Sequence, residues 1–181
     1  KRTFFHYRGA NSELSEADIP SERLSAKILH LGYLLLLDQL DVLLPDGKTV
    51  AAVVLEKAQK QGMLTSVDLV SEASDRFSIL VPPALPFIDF LFLNEYEAGK
   101  TVGFPLVNAQ GVLMEEKALK ACDLLLKQGV KKWVILHHAA GAMALNKERL
   151  LLKQTRLKVP SKAIKGSAGA GDAFAAGVLA A

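Results

Sequence analysis

The residues of this chain best suited to chemistry are Gly166-Ser167-Ala168-Gly169-Ala170-Gly171-Asp172-Ala173-Phe174. They set an acidic side chain directly after a glycine-rich turn, at the start of a run of helix formers from Ala173 to Ala181. Gly169 and Gly171 permit tight or left-handed backbone and carry no Cβ that would hold a ligand away. The first amides of a helix lack internal partners and carry the positive end of its dipole, so such a turn suits a phosphate. Asp172 would itself repel a phosphate. It makes sense as the group that takes a proton from a hydroxyl lying beside one, as in a phosphoryl-transfer site. A helix start with an acidic first turn accounts for the same residues without a ligand. Other parts of the chain must separate the two.

Two better-known glycine motifs are excluded. A dinucleotide fingerprint G-x-G-x-x-G starting at Gly169 needs a sixth-position glycine where this chain has Phe174. Gly99-Lys100-Thr101 imitates the end of a phosphate-binding P-loop, but the glycine required five positions earlier is Asn94.

Gly169-Ala170-Gly171-Asp172-Ala173-Phe174, followed by a helix of small residues, resembles the C-terminal signature of the ribokinase-like (phosphofructokinase B) carbohydrate kinases. The resemblance implies that Asp172 is the catalytic base and that Gly169, Ala170 and Gly171 form the anion hole. It also implies ATP and Mg2+ as cofactors, and a sugar as the acceptor. Asn94-Glu95-Tyr96-Glu97 matches the family's Asn-x-x-Glu motif, which implies that Asn94 and Glu97 position the nucleotide phosphates and magnesium, Glu97 through water. Magnesium prefers oxygen ligands and keeps several waters, which agrees with an indirect role. An asparagine at a helix start with glutamate three residues later is also a capping box, and the two roles are compatible.

The other site residues follow the same resemblance. Gly9-Ala10-Asn11 looks like the loop between lid and core, implying Asn11 near the sugar; by itself it is a strand-ending turn. Asp68, at the end of a strand candidate, occupies a place where relatives carry a polar residue near substrate or nucleotide, and a simple cap fits it equally. His137 and His138 invite a metal reading, but adjacent strand residues face opposite sides and cannot readily clamp one ion. Relatives show Thr-x-Gly-x-x-Gly here, whereas this chain has Leu136-His137-His138-Ala139-Ala140-Gly141. Only the final glycine is kept, and His138 and Gly141 are expected beside the nucleotide.

These groups need a scaffold. Ile28 to Leu37 reads as a buried strand, and Gly47 to Gln61 as a helix with Val50, Val54, Leu55 and Ala58 on one face. Thr65 to Val70, Phe90 to Leu93 and Lys132 to His137 are further strands. A short helix starts at Glu95, and an amphipathic one covers Leu113 to Gln128. Ala142–Leu145, Leu150–Gln154 and Leu157–Val159 look like an antiparallel group around Asn146-Lys147-Glu148. Alternating strands and helices call for a parallel sheet, with ligands beyond the carboxyl ends of its strands. The expected fold is α/β: a ribokinase-like three-layer α/β/α core with a mostly parallel sheet and a small β lid only partly present. Residues 1–181 are expected to form one such core, incomplete at both ends, with residues 1–9 as a lid strand.

Composition agrees with a globular domain of this size: half of the 181 residues are hydrophobic and 23% charged. The net charge of +3 comes from scattered residues, so no nucleic-acid partner is implied. The apolar run at 28–37 is too short to span a bilayer. Cys122 is the single cysteine, which makes a reducing cytoplasm the simplest setting. It lies on the stripe Met114, Ala118, Ala121, Cys122, Leu125, as a core residue would. The reading is ATP-dependent phosphorylation of a sugar hydroxyl, with a homodimer through the lid as a possible partner. The alternatives are a nucleoside kinase and a non-catalytic nucleotide-binding or regulatory module of the same fold.

Overall fold

The computed structural model describes residues 7–20, 25–164, 166 and 168–181. Strands β1 (Ile28–Leu34), β2 (Leu64–Leu69), β3 (Phe90–Asn94) and β4 (Trp133–His138) are parallel, and β5 (Gly141–Asn146) and β6 (Leu151–Thr155) continue the sheet antiparallel. Spatial order equals chain order, β1 to β6. That order has a consequence. Right-handed crossovers between successive neighbouring strands all return over the same face of the sheet.

The helices between the parallel strands accordingly build one large core. They are α1 (Val50–Lys60), α2 (Phe77–Leu80), α3 (Glu95–Val102) and α4 (Glu115–Lys127), with a proline-rich 3₁₀ turn at Pro82–Phe87. Leu55, Leu85, Ala98 and Leu125 meet Val67, Leu91, Leu93, Val134 and Leu136 from the sheet. The opposite face carries the alternate residues, as the two-residue period of a strand requires. There Phe92 and Ile135 pack on Ala175 of α5 (Ala170–Ala180), with Phe90, Trp133, Phe174 and Leu179 at the margin. The three layers α/β/α are thus unequal, thick on one face and a single helix on the other.

Local chemistry sets the ends of these elements. Thr49 caps α1 by accepting the Ala52 N–H at 3.2 Å, and Lys57 and Lys60 lie in its last turn, where the dipole favours cations. α3 stops at Gly103, whose φ of 83° is left-handed. Cys122 is fully buried on α4, and burial pushes its thiol up to about 12, as befits a packing residue. Among the described residues no helix is long and apolar enough to cross a membrane.

Several expectations change. The first strand ends at Leu34, because Leu35 takes a φ of 74°, and only its inner face is buried, with His30 and Gly32 exposed. Leu157–Val159 is not a strand: the ladder ends at Thr155, and Leu157 is 82% exposed, with no further strand among the described residues to pair with. The proline cluster at 82–86 does not merely break the chain but forms the 3₁₀ turn that seats Ala84 and Leu85 in the core. Of the expected lid strand, Thr3–His6 lie outside the described residues, as does Ser167 of the glycine-rich stretch. Tyr7 and Arg8 are not β, and Gly9–Ser12 form a 3₁₀ turn. Arg8 pairs instead with Asp38.

Candidate active site

α5 begins at Gly169, whose φ of 74° turns the chain into the helix, and its carbonyl accepts the Ala173 N–H at 2.9 Å. Among the described residues no side chain caps this end. The leading amides of an eleven-residue helix therefore face a cleft of about 740 Å³ over the carboxyl ends of β2, β3 and β4. The cleft is where an open α/β sheet binds ligands. Its lining brings together Gly169, Ala170, Gly171, Asp172, Asp68, Asn94, Glu97, His138 and Gly141. Asn11 is not among the lining residues; it sits on the Gly9–Ser12 turn, donating its N–H to the Arg8 carbonyl at 3.0 Å.

The start of α3 is built differently. Asn94 Oδ1 accepts the N–H groups of Tyr96 and Glu97, both at 2.9 Å, and Glu97 Oε2 accepts the Asn94 N–H at 2.8 Å. This is a complete capping box. Glu97 Oε1 takes two more donors, Asn94 Nδ2 at 2.8 Å and the Ser71 hydroxyl at 2.6 Å. Burial pushes the Glu97 carboxyl up, while the Ser71 and Asn94 hydrogen bonds pull it back. Both Glu97 oxygens are thus engaged by protein donors. Among the described residues no group of three or more His, Cys, Asp or Glu side chains is gathered to hold an ion.

Two buried aspartates show how the two ends of the sheet differ. Asp89, at the amino end of β3, satisfies Oδ2 with the Thr65 N–H, the Thr65 hydroxyl and the Gln59 amide at 2.9–3.1 Å. Asp68, at the carboxyl end of β2, receives one hydrogen bond, from the Leu69 N–H at 2.9 Å. Burial first, and then the Glu97 charge, raise its pKa to about 7, with a further push from Asp172. Asp89 is a structural tie. Asp68 is a buried acid on the wall of the cleft.

Both histidines line the cleft, although adjacent strand residues alternate faces. His137 is half-buried with its ring 5.5 Å from that of Phe174, and burial lowers its pKa. His138 lines the cleft and accepts the Ala140 N–H on Nδ1 at 3.3 Å. Gly141 has a packing reason to be glycine: a Cβ there would stand 2.2 Å from the Gln154 carbonyl of the paired strand β6.

One cleft residue escapes a reading of the sequence. The Tyr33 hydroxyl, from the end of β1, donates to Asp172 Oδ1 across 139 positions of chain. A tyrosine in an apolar strand carries no signal of this. Only the pairing of β1 with β2, and the return of α5 over the sheet, brings the two together.

The sequence matches the pfkB family carbohydrate kinase profile over residues 1–181. Among solved structures, a PfkB protein from Polaromonas sp. JS666 matches at 18% identity and TM-score 0.62, covering 93% of this chain and 51% of that one. Arabidopsis thaliana ribokinase, complexed with ribose and ATP, matches at 22% identity and TM-score 0.55, covering 70% and 37%. Phosphomethylpyrimidine kinase from Clostridium difficile 630 matches at 15% identity and TM-score 0.53, covering 74% and 55%. The chain thus spans between 37% and 55% of the length of these proteins. At such identities the likeness concerns the fold, an α/β core with a mostly parallel sheet. With its profile matched from end to end, the chain belongs to the pfkB family of carbohydrate kinases.

Proposed function

We propose that the protein phosphorylates a sugar hydroxyl from ATP at the cleft in front of α5. The observation that carries this reading is the uncapped start of α5 with Asp172 in its first turn, facing the same cleft as Asp68 and the Asn94–Glu97 box. The amides of Ala170, Gly171 and Asp172 donate to the oxygens of the transferred phosphoryl group and stabilise the charge that builds there. The acceptor oxygen forms its bond to the γ-phosphorus in line, as the bond from that phosphorus to the ADP oxygen breaks. Asp172 takes the hydroxyl proton. An ordinary carboxylate is a weak base, which suits a loose transition state in which the proton leaves late.

The residues present fit a magnesium ion carried in with the phosphates rather than caged by protein. Asp68 and Glu97 are the acids on that wall, and the donors already held by both Glu97 oxygens support a contact through water. When bound, Mg2+ would neutralise phosphate charge. The departure at Leu136-His137-His138-Ala139-Ala140-Gly141 favours the second reading, a nucleotide-binding module without turnover.

The test is a screen of sugars and nucleosides by ADP release with the full-length protein, beside Asp172→Asn. The variant should lose roughly 10²–10⁴ in turnover while nucleotide binding is kept, the usual worth of a positioned general base. Near-normal turnover in Asp172→Asn would overturn the base. Nucleotide binding without turnover on any acceptor would favour the second reading.

A further inference from the structure

We infer that Tyr33 is a positioning residue for Asp172, an inference that rests on the phosphoryl-transfer reading above. Tyr33 lies at the end of β1, on a strand held in register by β2, and its hydroxyl donates to Asp172 Oδ1. Among the described residues it is the only hydrogen-bond donor to that carboxylate. Asp172 stands where the main cleft meets a smaller groove of about 410 Å³ between β1 and α5, and Tyr33 lines both. The terminal torsion of an aspartate is broad and close to two-fold, so an unanchored carboxylate at such a junction would swing between the two spaces. Anchoring Oδ1 on β1 leaves Oδ2 beside the Gly169 turn, 3.7 Å from where a Cβ at that position would stand. Oδ2 is then the oxygen presented to a hydroxyl that lies next to the α5 amides.

A phenol is suited to the task because it stays a donor. Burial, then the hydrogen bond and charge of Asp172, then the charges of Asp68 and Glu97, push the Tyr33 hydroxyl far above its usual range. It neither ionises nor competes for the substrate proton. The other charged or titratable groups facing Asp172 are His30 on β1 and Asp68 on β2. His30, exposed at one edge, is engaged through its ring with the Ser66 hydroxyl at 2.9 Å, and partial burial of that ring lowers its pKa against the pull of Asp172.

Tyr33→Phe removes one oxygen and little else. In the full-length enzyme it should lower kcat by about 10-fold, as expected for loss of a hydrogen bond to a charged group, with the nucleotide KM unchanged. The sugar KM should also stay unchanged, so that the whole loss falls on kcat. A purely structural role would show as a lowered unfolding midpoint with kcat per folded enzyme unchanged. Wild-type kcat in Tyr33→Phe would overturn the inference, while a dead Asp172→Asn would leave the base standing. A raised sugar KM with kcat unchanged would make Tyr33 a substrate contact, and would also overturn it. Full turnover in Asp172→Asn would remove the base, and the positioning role with it.

Discussion

Two helices of this protein start at the same cleft, and their first turns are finished in opposite ways. α3 closes its own amino end: Asn94 accepts two amides, Glu97 returns a bond to the Asn94 N–H, and Ser71 completes the set. α5 starts from a left-handed glycine with no side-chain cap, and its first turn carries a lone acid anchored from another strand. A helix end that satisfies itself has nothing to offer a phosphate, whereas an unsatisfied one is an anion site. On the proposed function, α5 would hold the transferred phosphoryl group, while the closed end of α3 would set the wall that carries Glu97.

Opening the closed end should have the largest effect on stability. Asn94→Ala removes both acceptor bonds to the α3 amides and leaves buried Glu97 short of one donor, the Asn94 side-chain amide. A loss of about 3 kcal/mol is expected, read as a lowered midpoint in urea unfolding. A loss within a few tenths of a kcal/mol would mean that the box is not what holds this wall.

Asp68→Asn should act in the other direction and depend on pH. The folded-state pKa of Asp68, about 7, lies above its unfolded value, so folded Asp68 holds its proton more tightly. Its stabilising effect is complete below the unfolded pKa and is lost as pH rises toward and through 7. At pH 8 Asp68→Asn should therefore be the more stable protein, by on the order of 2 kcal/mol, and the gain should fade by pH 4. Unfolding curves at both pH values check the sign. A variant less stable at pH 8 would show that the ionised carboxylate is well accommodated.

The smallest stability change should be the most diagnostic for α5. Gly171 lies within the helix, and a Cβ there would meet nothing within 4 Å. Gly171→Ala should therefore stabilise the helix by about 0.5–1 kcal/mol. If the backbone at Gly171 approaches a phosphoryl group, the same variant should bind nucleotide more weakly and turn over more slowly. A more stable protein with unchanged affinity and turnover would mean that the open end of α5 does not need glycine there.

How much of this was legible differs from element to element. β3 and β4 could be read because their apolar runs sit between turn signals, and both faces of a central strand are covered. β1 was overextended for the opposite reason: its apolar run continues past Leu34 into irregular backbone that is also buried, including Leu35, Leu37 and Leu40. Hydrophobicity reports burial, not the left-handed turn at Leu35. The Asn94–Glu97 box was visible from spacing alone, because capping is a contact between near neighbours. Its extra partner, Ser71, was not, and nor was the proline turn's place in the core. Asn11 looked like a site residue from its motif, but its turn lies away from the cleft lining.

By itself the sequence determined whatever depends on neighbours in the chain: the start of α5 at Gly-Ala-Gly-Asp, the capping of α3, the core stripe through Cys122 and the alternation that gives β3 two apolar faces. Those properties follow from backbone freedom, hydrogen bonds a few residues long and helical or strand periodicity. Tertiary structure alone decided which side chains share a charge or a hydrogen bond across the sheet. The raised acid at Asp68 exists because burial in the cleft wall coincides with the charge of Glu97, brought in by the next strand and helix. The Tyr33–Asp172 contact exists because β1 and α5 meet over the sheet, 139 residues apart. Electrostatic coupling and burial act through space, and no local pattern encodes them.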